Sequence, residues 1–196
     1  MKTIMEQHET TTEMSSQELE QRMLKRDMAA MRMLQNRADY EKTLYIPETW
    51  HALYTNLLEL KEDAKESYQA GHVSDACELM LMMSAGCVVG LVYLSPAPPA
   101  EWAVSEIDFQ AQSNVALDKI SEEIRPVYHD KIAGLKLVCS AMHLLEQAMI
   151  SQQRAKKHMI YDDAIANAII DVAAEAISYV RDNSAEVDKR AQKRFV

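Results

Sequence analysis

Residues 79–94 form a run of sixteen positions without a single charged side chain. A helix that is apolar around its whole circumference lies either at the centre of a helical protein or in a membrane. The run is shorter than the roughly 20 residues that a membrane span needs, and its flanks, Glu78 and Glu101, carry no basic bias. We therefore predict a central helix of a soluble protein. A membrane-active helical protein is the alternative for this segment.

Two glycines within this run, Gly86 and Gly90, stand four residues apart. In a membrane such a step can drive helix association, and in a soluble bundle it lets a neighbouring backbone approach closely. Gly71 precedes the run and has the residue type that commonly ends a helix in the left-handed conformation. These glycines predict a helix end at position 71 and a tight helix contact at positions 86 and 90.

Residues that reverse the chain are scarce, with only 4 Gly and 5 Pro among 196 residues. Apolar residues recur at intervals of three and four in six segments, which is typical of helices, and no alternating β-branched run suggests a strand. We predict an all-α fold, an elongated antiparallel bundle of about six helices, several of them long, with the third and sixth inside. The predicted helices cover residues 15–44, 47–70, 74–94, 105–124, 126–158 and 162–183, with a possible break at Asn183 and Ser184.

The domain organisation follows from one proline-rich stretch, which contains Pro96, Pro98 and Pro99. Prolines end helices and stiffen a connection. We predict a disordered polar tail over residues 1–14, a three-helix half over 15–94, a Pro-rich linker over 95–104 and a second three-helix half over 105–196. The two halves are expected to share one core.

Charge and cysteine usage limit the function classes. A net charge of −9 disfavours nucleic-acid and anionic-membrane binding, which need clustered Lys and Arg. The basic residues Arg154, Lys156, Lys157 and His158 lie where a helix C-terminus favours positive charge. Cys77, Cys87 and Cys139 form no motif and stand in apolar sequence, so we predict buried, reduced thiols of a cytoplasmic protein.

Two Glu/His pairs are candidates for metal ligands. Glu48 with His51, and His143 with Glu146, each place a carboxylate and an imidazole on one helix face. A di-metal helical bundle would need two such pairs in the same order and two further Glu residues. Because the second pair has the reverse order and the set is incomplete, we predict solvated surface pairs.

The doublet His129-Asp130 has further potential ligands on both sides in the sequence. These are His51 and His72 upstream, and Asp162, Asp163 and Asp171 downstream. The order resembles that of the metal ligands in the helical phosphohydrolases named for a His-Asp doublet. The resemblance implies one or two metal ions that activate water for attack on a phosphoester. The Gly-Lys that commonly follows the family's doublet is absent here, and Pro126 places the doublet in a first helical turn, where Asp is frequent.

The chain has no Gly-rich phosphate loop and no Gly-x-Ser-x-Gly turn, and we assign no catalytic, cofactor-binding or metal-binding residue. Its 13 methionines suit adaptable helix packing and protein binding. We predict a cytoplasmic interaction module, an adaptor, regulator or inhibitor that binds another protein and forms a homodimer. The contacts are expected on the first or fifth helix, at Met28 and Met31 or at Met142 and Met149. A metal-dependent phosphohydrolase is the alternative.

Overall fold

The computed structural model describes residues 16–94, 106–126, 129–154 and 163–192. All regular structure in these ranges is α-helical and no strand is present there, which confirms the predicted all-α class. Seven helices lie in the described ranges. They are α1 (Ser16–Leu44), α2 (Trp50–Gln69), α3 (Val73–Leu94), α4 (Glu106–Glu123), α5 (Lys131–Arg154), α6 (Asp163–Asn183) and α7 (Ala185–Gln192).

Two helix starts differ clearly from the sequence prediction. The second helix begins at Trp50 and not at Pro47, because the Thr49 hydroxyl accepts a hydrogen bond from the Ala52 amide and caps the helix there. The fifth begins at Lys131 and not at position 126, for a similar reason described below. The possible break at Ser184 is confirmed, and the chain continues beyond it as α7. The predicted tail over residues 1–14, the linker over 95–104 and the basic residues 156–158 lie outside the described ranges.

The two most buried helices, α3 and α6, lie side by side at the centre, as predicted. Helix α3 packs against α1, α2, α4 and α6, and α6 packs against α1, α3, α4 and α5. The buried Ser84 hydroxyl donates a hydrogen bond of 3.0 Å to the Ala173 carbonyl. Cys77 lies near Tyr179, so residue numbers rise along α3 as they fall along α6. The central pair is therefore antiparallel.

The predicted close contact on α3 is formed by α2. Gly71, at φ +84°, is in the left-handed conformation and reverses the chain between the two helices. Leu53 then packs against Gly90, and Leu57 against Gly86. Because residue numbers run in opposite directions in these two contacts, α2 and α3 are antiparallel. The glycines provide the space that these two leucine side chains occupy.

Helix α3 is also long and apolar enough to cross a membrane by length and composition. The length argument made from residues 79–94 is therefore wrong, since the helix extends back to Val73 and reaches 22 residues. Two thirds of its most apolar window is buried against the other helices. Most of these apolar side chains pack against the neighbouring helices.

One main hydrophobic core draws side chains from helices on both sides of residues 95–104. Fully buried members come from α1, α2, α3, α4, α5 and α6. They include Leu34, Leu57, Met80, Ile120, Leu145 and Ile169. Met142 and Met149 belong to the same core. Their proposed role in a dimer contact on the fifth helix is therefore wrong, because the α5 seam that carries them faces inward.

Candidate functional site

The C-terminal end of α6 contains an arginine that is almost completely enclosed. Arg181 is 1% exposed, the largest fully buried side chain in the described part of the chain. Its Nε donates to Asp182 over 2.7 Å. Its Nη1 donates to Asp27 of α1 over 3.1 Å and to the Arg125 carbonyl over 2.7 Å. One guanidinium thus joins α1, α6 and the segment after α4.

A second buried arginine, Arg26 of α1, approaches the same place from the other side. Its Nε donates to the Arg181 carbonyl over 3.1 Å, and its Nη2 contacts the same oxygen. Its Nη1 is paired with Asp188 of α7. We call Arg26, Asp27, Arg181, Asp182 and Asp188 the arginine network. It connects residues more than 150 positions apart in the sequence.

Arg181 keeps its charge although it is almost completely removed from water. Burial acts to lower the pKa of Arg181, but the hydrogen bonds and charges of Asp182 and Asp27 outweigh this and raise the pKa above its usual value. Arg181 is therefore a cation at every physiological pH. The ion pairs of Arg181 with Asp182 and Asp27 stabilise the fold only while both partners are charged, because an uncompensated buried charge is costly.

Beside the network lies an open groove of about 570 Å³ between α1, α3, the end of α6 and α7. Apolar atoms of Leu81, Cys77 and Val180 contribute to its lining. Its two arginines already have carboxylate partners in the structure. Arg37 donates to Glu41 over 2.6 Å and to Glu78 over 2.7 Å, and Arg190 donates to Glu186 over 2.9 Å.

Five large hydrophobic side chains of α1 are exposed to water, and two of them lie together on its outer face. The five are Leu19, Leu24, Met28, Tyr40 and Leu44. Leu24 is 60% exposed and Met28 is 41% exposed. They are four residues apart and therefore adjacent on the helix surface. We call Leu24 and Met28 the α1 strip. Met31, the next residue on this face, is half-buried and packs against the core.

No comparable pair of exposed apolar side chains is found on the described part of α5. Its exposed large apolar residues are Ile132 and Leu144. They lie twelve positions apart, which corresponds to about 18 Å along the helix. Of the two helices that the sequence indicated for self-association, α1 therefore has the better surface.

A smaller pocket of about 300 Å³ lies between α4, α5 and α6 and contains Asp171, one of the potential ligands of the phosphohydrolase alternative. Burial and the nearby Glu123 raise the pKa of this carboxyl, while Arg125 opposes them. Arg125 is bound to Glu175 in the same pocket, with 2.6 Å between Nε and Oε1. The lining of this pocket therefore includes an ion pair between Arg125 and Glu175.

The His-Asp doublet has a structural role. The Asp130 carboxylate accepts hydrogen bonds from the Ile132 and Ala133 amides, at 2.9 and 2.8 Å, and so caps α5. The main-chain amide of His129 donates to Asp182 over 3.1 Å. Within the described residues, no group of three or more His, Cys, Asp or Glu side chains is placed to hold a metal ion.

The other potential ligands of the phosphohydrolase alternative do not gather around His129. His72 lies 3.8 Å from Asp75 on the surface, and His51 and Asp163 are exposed. Asp162 is outside the described ranges. The two Glu/His pairs do not form a shared group of ligands within the described residues either. His143 and Glu146 form a surface contact of 3.5 Å, and Glu48 precedes α2.

The three cysteines do not share one environment. Cys77 and Cys87 are buried, as predicted, but Cys139 is exposed, so its predicted burial is wrong. Burial raises the pKa of Cys77 to about 11 and that of Cys87 further. Cys139 lies one position beyond the buried Val138, on the outward side of α5.

Native thiol labelling should therefore resolve two classes. At pH 8 we expect Cys139 to react quickly with a disulfide reagent, and Cys77 and Cys87 to react only after denaturation, because buried thiols are shielded and remain protonated. Labelled sites are identified by peptide mass spectrometry, and a Cys139→Ser variant is the control. Fast labelling of three thiols, or slow labelling of all, would contradict the structure.

Sequence reasoning missed the arginine network. A signal was present, since Arg26 falls among the apolar positions of the first helix, and Arg181 directly follows the apolar Tyr179 and Val180 at the end of a mostly buried helix. Their pairing could not be read from spacing, because the partners are distant in sequence.

The chain matches no family model, no curated protein and no solved structure.

Proposed function

We propose that this chain is a helical interaction module that acts by binding another protein and not by catalysis. The observation that carries the proposal is the α1 strip. Exposed contiguous apolar surface on a soluble protein usually marks a site where a partner binds. Leu24 and Met28 stand side by side, and covering them would remove apolar area from water at roughly 25 cal/mol per Å².

The opposite side of α1 is already occupied. Helix α1 packs against α3, α6 and α7, with Ala30, Leu34 and Ala38 fully buried. The strip therefore faces away from the main packing surface of the helix. A methionine in such a position adapts its shape to a partner at little conformational cost, which suits a binding surface.

We propose that the partner is a second copy of this chain. A two-fold axis beside α1 would bring two strips together, so each would cover the other, and this is the commonest way in which soluble proteins associate. The net charge of −9 supports a protein partner over nucleic acid or an anionic membrane. The free thiols Cys77 and Cys87 suit the reducing cytoplasm.

The proposed module has two halves, 15–94 with α1 to α3 and 105–196 with α4 to α7, joined by a Pro-rich linker over 95–104, in an elongated bundle. The common core of helices from both halves supports a single folding unit. In such a bundle the outer helices keep a large surface, and α1 is one of them.

Sedimentation equilibrium tests the proposal. We expect a dimer mass at micromolar concentration, and at least about tenfold weaker association after Leu24→Glu with Met28→Glu, because two charges would be placed in an apolar contact. The matched control is Ile132→Glu with Leu144→Glu, which changes two equally exposed apolar residues on α5. This control should leave the dimer unchanged.

Two results would contradict the proposed dimer. A monomer mass that persists as concentration rises would show that the chain does not bind itself. A dimer that is weakened by the α5 control but not by the α1 variant would show that another surface is used. Circular dichroism of each variant distinguishes a lost contact from a lost fold.

A further inference from the structure

The α1 strip lies in the middle of a longer row of exposed side chains. Glu20 precedes Leu24 by four residues, Arg32 follows Met28 by four, and all four side chains are exposed. Residues four positions apart on a helix are neighbours, and they form a raised row along its surface. We call Glu20, Leu24, Met28 and Arg32 the α1 ridge. Its two ends carry opposite charges, and its middle is apolar.

The residues of α1 that pack inside the protein are different ones. Arg26, Ala29 and Ala30 lie between Leu24 and Arg32 in the sequence, and all three are buried. Exposed and buried positions therefore alternate along this part of the helix. The ridge is left as an exposed row that extends over about 18 Å from its first to its last residue.

The order of residues along the ridge makes it complementary to itself in one direction. When two ridges run antiparallel and are centred between Leu24 and Met28, Leu24 of each chain faces Met28 of the other. Glu20 of each chain then faces Arg32 of the other. In a parallel arrangement Glu20 would face Glu20 and Arg32 would face Arg32, and like charges that face each other oppose binding. The charges therefore favour the antiparallel arrangement.

Rows with this spacing also form the commonest class of helix contact. Rows of residues four apart on two helices pack into each other's grooves when the helix axes cross at about 50°. At this angle the two rows run alongside each other, so the contact extends from the apolar middle toward the charged ends. Glutamate and arginine have long side chains, which suits the ends, where the two helix surfaces curve apart.

We propose that two copies of this chain associate with their α1 helices antiparallel, and that Glu20 and Arg32 determine this orientation. The inference rests on the proposed dimer through the α1 strip and adds the residues that give it specificity, since complementary charges select the partner and its orientation. Arg32 also has an interaction within its own chain. Its guanidinium has five N–H donors, so it can bind a carboxylate of the second chain as well.

Charge reversal tests the pairing. Glu20→Arg and Arg32→Glu each place like charges face to face at both ends of the contact, and sedimentation equilibrium at low salt should show about tenfold weaker dimerisation. The double variant Glu20→Arg with Arg32→Glu restores opposite charges and should recover the wild-type affinity. The matched control is Arg22→Glu, which gives the same net charge as Arg32→Glu and changes an exposed arginine of α1 outside the ridge. This control should leave the affinity unchanged.

Cross-linking tests the orientation. In a Cys139→Ser background the remaining native thiols, Cys77 and Cys87, are buried. Chains with Glu20→Cys and chains with Arg32→Cys are mixed and treated with a short bis-maleimide linker. We expect linked dimers only in the mixture, because the two copies of position 20 lie about 18 Å apart along the axes of antiparallel helices. Peptide mass spectrometry identifies the linked positions.

The results distinguish a wrong orientation from a wrong dimer. Linked dimers in either cysteine variant alone would show a parallel contact and overturn the proposed orientation. A dimer that Leu24→Glu with Met28→Glu weakens, but that neither charge reversal weakens, would show that Glu20 and Arg32 do not determine the pairing. Both results would leave the dimer through the α1 strip intact. A wild-type chain that stays monomeric would refute that dimer, and the antiparallel pairing with it.

Discussion

Replacing Arg181 with methionine should lower the free energy of unfolding by about 3–5 kcal/mol. Methionine fits a helix and fills much of the same volume, but it leaves Asp182, whose side chain is 3% exposed, without its cation. The Arg125 carbonyl loses a donor at the same time. Urea denaturation followed by circular dichroism measures the change.

A matched control for this variant is Arg190→Met. Arg190 is 41% exposed and pairs with Glu186 one turn earlier, so its loss should cost no more than about 0.5 kcal/mol. Adding Asp182→Asn to Arg181→Met should recover stability, with a coupling energy of about 1–3 kcal/mol. Additive effects of the two changes would show that these groups do not depend on each other.

Replacing Gly90 with leucine should destabilise the fold by about 1–3 kcal/mol. Even a Cβ atom at this position would overlap the Leu53 side chain, which is 1% exposed and enclosed by the core. The added volume would force α2 and α3 apart along their antiparallel contact. Thermal unfolding measures the effect as a lower melting temperature.

Gly86→Ala is the control, because it changes the other glycine of the same helix face. A Cβ there would meet Leu57 at 3.8 Å, an ordinary contact distance. Alanine in a helix is favoured over glycine by roughly 0.5–1 kcal/mol, so this variant should be slightly more stable than the wild type. Equal destabilisation at both positions would contradict the described α2 and α3 packing.

The sequence was sufficient to predict features that depend on local pattern. The absence of charge over residues 79–94 predicted the central position of α3, because a helix that is apolar on every side of a soluble bundle has to be enclosed by its neighbours. Gly71 predicted the end of α2, because few other residues adopt a positive φ. The spacing of Gly86 and Gly90 predicted a close neighbour, although not which helix would provide it.

Features that depend on rotation and on distant partners could not be predicted. Met142 and Met149 would have the same spacing along α5 whether their side of the helix faced the core or a second molecule. One step along α5 separates the exposed Cys139 from the buried Val138, and local apolar composition does not resolve such a step. The arginine network required the relative positions of α1 and α6.

The contacts of Arg26 can form only late in the synthesis of the protein. The Arg181 carbonyl follows Arg26 by 155 residues, a delay of roughly 8–30 s at the usual speed of a ribosome. The antiparallel α2 and α3 hairpin can close much earlier, since its contacts are local. Until α6 and α7 have emerged, the part of the inner face of α1 that they cover is without these partners.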